Sequence, residues 1–103
     1  MMINGIEWRV RAVPPSHPFL LTPWKTHAYG ACDKNTYSVY IDNTLSPRKK
    51  KEVLAHEIAH AVIFSYDIDL TYEEEEIVAD IFSSHGTEIM KWTNIIYDVI
   101  KMK

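Results

Sequence analysis

The sequence predicts an α+β fold, a small antiparallel three-stranded sheet followed by two or three helices. Three observations predict it. Period-two alternation is confined to the residues before Asp42, helical periodicity to the residues after it, and two good helix starts lie in the second half.

In chain order, Ile6, Trp8, Val10 and Ala12 alternate with Glu7, Arg9 and Arg11, the pattern of a half-buried strand over residues 6–13. Pro14, Pro15 and Pro18 end it and open a loop reaching about Trp24. His27 to Cys32 form a second expected strand. Tyr37, Val39 and Ile41, alternating with Ser38 and Tyr40, form a clearer third, joined to the second by Asp33-Lys34-Asn35 turn chemistry. Ser46 is a good N-cap and Pro47 suits the first helical position, so a helix is expected over residues 46–66. Thr71 with Glu74 forms a capping box in front of Val78, Ile81, Phe82, Ile89, Trp92 and Ile96. These recur at helical spacing and predict one long helix, or two if Gly86 splits it.

A chain of 103 residues has room for a single domain, residues 1–103, with one modest core. A net charge of -3 argues against a nucleic-acid footprint, which needs surplus Lys and Arg. The one basic cluster, Arg48 to Lys51, reads as a solvated helix face. The single cysteine, Cys32, excludes an intramolecular disulfide, and Met1 to Arg11 lack the order of a signal peptide, so a cytoplasmic protein is expected. No apolar run approaches the roughly 20 residues that cross a bilayer.

Residues 56–60 read His-Glu-Ile-Ala-His. On a helix, His56 and His60 lie one turn apart on the same face, able to grip one ion, with Glu57 beside them. Zinc held by three protein ligands keeps a fourth position for water and makes that water more acidic, and a nearby glutamate can take its proton as a carbonyl is attacked. Glu57 is therefore the expected general base. Val53, Leu54, Ile58, Val62 and Ile63 surround the motif, and two histidines and a glutamate are costly in such company without an ion or partners. A third ligand has to come from elsewhere. Ile63 and Tyr66 stand where a metzincin needs glycine and histidine. The gluzincin pattern, a glutamate on the next helix followed four residues later by an aspartate, fits Glu76 as ligand and Asp80 as a residue that orients a ligand histidine from behind. Glu76 shares a stripe with Ala79, Ser83 and Gly86, small enough for the helices to approach closely, and Glu75 is the alternative ligand. Tyr66, Tyr72 and His85 are candidates for stabilising an oxyanion, although His85 falls on the stripe of Ile81, Ile89 and Trp92 and reads as a core residue. Cys32 could cap a zinc ion as thiolate, but an idle thiol is its ordinary reading.

The strand Ile6 to Val13, the strand Tyr37 to Ile41, the helix Leu54-Ala55-His56-Glu57-Ile58-Ala59-His60-Ala61 and the segment Glu76 to Ser83 together resemble the ImmA/IrrE family of zinc metallopeptidases, especially short members associated with phages and mobile elements. That resemblance implies cleavage of a specific protein, such as a repressor, rather than broad digestion. A substrate would then lie extended along an exposed edge strand, for which Tyr37 to Ile41 is the candidate. Two rival readings stand beside the peptidase: a zinc-binding regulatory or interaction module without turnover, and a metal-free interaction protein.

Overall fold

The structure, a computed structural model, describes residues 1–21 and 28–101. Its first element is a hairpin of β1 (Met2–Ile3) and β2 (Ile6–Glu7). The turn residues Asn4 and Gly5 have φ of 48° and 77°, the left-handed conformation that a two-residue hairpin turn demands and that this residue pair tolerates best. Asn4 Nδ2 donates to the Ser65 carbonyl at 2.9 Å, and Trp8 Nε1 donates to Ser65 Oγ at 2.8 Å, which pins the hairpin to the end of the first helix.

The main sheet contains β3 (Arg9–Val13), β4 (Gly30–Asp33) and β5 (Ser38–Asp42), in the order β3-β5-β4. The expected α+β class holds, but the sheet is mixed rather than antiparallel. β4 and β5 form the expected antiparallel hairpin, whereas β3 pairs with β5 in parallel, Arg9 opposite Ser38 and Val13 opposite Asp42. The reason is the insertion of β5 between its two neighbours: it returns antiparallel to β4 and so runs beside β3 in the same direction. β5 is therefore the central strand and not an edge, and every one of its residues is buried. The edge expected at Tyr37 to Ile41 is thus occupied on both sides, and β3 and β4 are the edges among the described residues. The alternation read over residues 6–13 fails at Val10 and Ala12, which are exposed, because the first helix covers β4 and β5 and leaves β3 at the uncovered side. The first half of the expected strand His27 to Cys32 falls partly outside the described residues.

One face of β5 packs Val39 with Trp8 and Ala61, and the other packs Tyr40 with Val13 and with Leu20 of a short 3-10 turn, Pro18–Leu20. Against the first face lies α1 (Pro47–Ser65), whose N-cap Ser46 accepts from the Lys49 amide at 3.3 Å. The following helix, α2 (Tyr72–Ile100), begins at the Thr71–Glu74 capping box and runs 29 residues without a break at Gly86. Its first turns cross α1 at Ala79, which is fully buried, while its second half projects beyond the body of the molecule. His85 and Trp92 lie on that projecting half and are exposed, so neither is the core residue the spacing implied. No helix among the described residues is long and apolar enough to cross a membrane.

Candidate metal centre

α1 places His56, Glu57 and His60 at the wall of a cleft of about 380 Å³, closed on the second side by Gly30, Cys32 and Lys34 and on the third by Tyr72, Glu75 and Glu76. Gly30 makes this proximity possible. A Cβ there would lie 2.6 Å from Val53 Cγ1 and 3.0 Å from Glu57 Cγ, so only glycine lets β4 pass this close to α1.

Within the cleft three donor groups converge. His56 Nε2 and His60 Nε2 are 3.2 Å apart, His60 Nε2 is 2.8 Å from Glu76 Oε1, and His56 Nε2 is 3.4 Å from Glu76 Oε2. The outer nitrogens are occupied. His60 Nδ1 meets Glu75 Oε1 at 2.6 Å, and Asp80 Oδ1 lies 3.1 Å from His56 Nδ1. A carboxylate can only accept, so an imidazole that donates its Nδ1 proton to Glu75 or Asp80 turns an Nε2 lone pair toward the other ring and the Glu76 carboxylate. Facing acceptors repel unless a cation, a proton or a metal ion, stands among them. The spacing suits the metal. Ligand atoms 2.0–2.1 Å from a tetrahedral zinc sit about 3.3 Å from one another, close to the 3.2 Å and 3.4 Å found here, with the 2.8 Å pair somewhat tight. His56 takes part in both sets of potential ligands among the described residues, with Glu57 and His60 and with Glu76 and Asp80.

Glu57 Oε1 lies 4.0 Å from His56 Nε2, and its carboxyl is buried. Burial raises its proton affinity above the ordinary carboxylate value. The two histidines oppose that rise and Glu76 adds to it. Cys32 is pushed up to about 12, first by burial and then by Glu57, so it remains a thiol at neutral pH.

Of the residues singled out in the sequence, His56, Glu57, His60, Glu76 and Asp80 come together. Tyr72 borders the cleft, whereas the exposed Tyr66 and His85 are not among its walls. Sequence reasoning missed two participants. Glu75, considered only as a substitute ligand, sits behind His60, and Lys34 reaches Glu75 Oε1 at 3.8 Å from the β4–β5 turn. Adjacency to Glu76 on a helix could have flagged Glu75, since neighbours one residue apart point about 100° apart and can flank one imidazole from two sides. Nothing in the sequence marks Lys34.

A family model of peptidases described as the IrrE N-terminal-like domain matches residues 18–100, most of the chain. No curated protein and no solved structure matches it significantly.

Proposed function

We propose that this chain, which belongs to the IrrE N-terminal-like peptidase family, is a zinc-dependent endopeptidase in which His56, His60 and Glu76 hold the ion and Glu57 moves the proton. The observation that carries the proposal is the convergence of the two Nε2 atoms on the Glu76 carboxylate while Glu75 and Asp80 occupy the opposite nitrogens. Family membership supports metallopeptidase chemistry in general, and the donor set of two imidazoles and one carboxylate favours zinc.

Zinc bound there supplies Lewis acidity, which polarises a peptide carbonyl and makes water a stronger acid. Glu57 takes a proton from the attacking water and passes it to the departing amine nitrogen, and its raised proton affinity suits both steps. Glu75 and Asp80 hold the imidazole rings in the ligating tautomer. The edge of β4 that no described strand occupies, which Gly30 brings against Glu57, can pair with an extended backbone and lay a peptide across the cleft. The substrate is one chosen cytoplasmic protein rather than any polypeptide. The resemblance to ImmA/IrrE peptidases points to a repressor as that protein.

Elemental analysis of the protein and of His60→Ala tests the metal centre. About one zinc per chain in the parent and its loss in the variant are expected. No zinc in either, even after zinc is supplied, would overturn the proposal and leave an interaction module.

A further inference from the structure

Among the described residues nothing packs on the second half of α2, whose side chains are exposed, and its apolar residues follow a rule. Val78, Phe82, Ile89, Trp92, Ile96 and Val99, with His85 in the remaining position, are separated alternately by four and three residues. That is the seam of a coiled coil. Ile89, Trp92, Ile96 and Val99 are 51–53% exposed. The seam begins inside an apolar groove of about 390 Å³ between the helices, where Val78 and Phe82 face Ala55, Ile58, Ala59 and Val62. The opposite face of the helix carries Asp80, Thr87, Lys91, Asn94 and Asp98. This face is not basic, which disfavours an anionic membrane surface as the occupant.

We propose that α2 pairs with α2 of a second copy in antiparallel orientation, forming a two-fold dimer. The seam is self-complementary when reversed: Val78 then lies opposite the partner's Val99, Phe82 opposite the partner's Ile96, His85 opposite the partner's Trp92, and Ile89 beside the axis. Each projecting tip fills the other copy's groove. Along the seam Phe82, Ile89, Trp92, Ile96 and Val99 are each more than half exposed, apolar surface that pairing would bury toward the roughly 800 Å² each partner contributes to a stable interface. Charge decides the direction. A parallel pair would set the exposed first-turn glutamates Glu73 and Glu74 of the two copies together, whereas reversal opposes the helix macrodipoles favourably and places those glutamates near the partner's Lys101. The groove lies on the side of α1 away from His56, Glu57 and His60, so both clefts stay open in the dimer.

Sedimentation and light scattering over a concentration series test the pairing with the full chain. The parent is expected at twice 12.0 kDa. Ile96→Glu, a change at an exposed position that the monomer fold does not need, is expected to weaken association by on the order of 100-fold, and Lys91→Glu on the opposite face to leave it unchanged. Direction is read by oxidative cross-linking in a Cys32→Ala background. His85→Cys mixed with Trp92→Cys is expected to form a mixed disulfide that neither forms alone. A monomer at every concentration, a dimer that survives Ile96→Glu, or self-linking of either single-cysteine chain would overturn the proposal.

Discussion

The two sides of α1 show opposite relations between polarity and burial. Toward the sheet and the cleft it buries Glu57 and His60, while Ile58, Ala59 and Val62 on the other side stay half-exposed along an apolar groove. A helix stabilised by apolar burial alone would do the reverse. Its polar side is tolerable because each group has a counterpart: among the described residues no buried side-chain nitrogen or oxygen lacks a hydrogen-bond partner. Its apolar side remains open because nothing among the described residues covers it. Polar burial here accompanies the candidate metal centre, and apolar exposure marks the face proposed to meet a second copy.

The sharpest way to break this comparison is Glu57→Gln. The amide keeps the shape and the packing against Gly30 but cannot accept the proton. Zinc content should stay at the parent level, while cleavage of an identified protein substrate falls by on the order of 10²–10⁴-fold. Equal cleavage by parent and variant would remove Glu57 from the reaction, and parallel loss of zinc would show that it acts as a ligand.

A smaller effect separates the carboxylates that surround the histidines. Glu75→Gln and Asp80→Asn leave the three converging donors in place but weaken the groups that keep the Nδ1 protons in position, so zinc affinity should fall about 10- to 100-fold. Glu76→Gln removes a converging oxygen charge and should cost more than either. Competition with a chromophoric chelator ranks the three. If Glu75→Gln proves the most damaging, the ligand is Glu75 and the geometry around His60 has to be read the other way round.

Both helices were legible because their signals are local. Ser46-Pro47 and the Thr71–Glu74 box mark the starts, and the His56–His60 spacing has meaning only on a helix. The β1–β2 hairpin was missed: Asn4-Gly5 is a strong short-range signal for such a turn, but the strand at Met2–Ile3 is too short to show alternation. The sheet order was not legible either. Whether β3 pairs with β4 or β5, and in which direction, depends on contacts between residues about thirty apart, which no period-two pattern records. The candidate site divides in the same way. His56, Glu57 and His60 share one helix and Glu76 and Asp80 another, whereas Lys34 reaches the site only through the sheet.

The smallest effect concerns Cys32, the one thiol facing the buried carboxylates. Its pKa is raised from 9.0 to about 12, chiefly by burial and then by the Glu57 charge. A group whose proton is held more tightly in the folded chain stabilises it fully below the unfolded value. Between pH 9 and 12 the unfolded chain loses this proton first, and that stabilisation is lost as pH rises through the window. Lysines and tyrosines titrate there as well, so the informative quantity is a difference. Urea unfolding of the protein and of Cys32→Ala should show a gap that is constant up to about pH 8 and narrows or reverses above pH 9. A gap independent of pH would place the thiol in a wetter environment and weaken the view that this side of α1 is sealed by charge-pairing rather than by solvent.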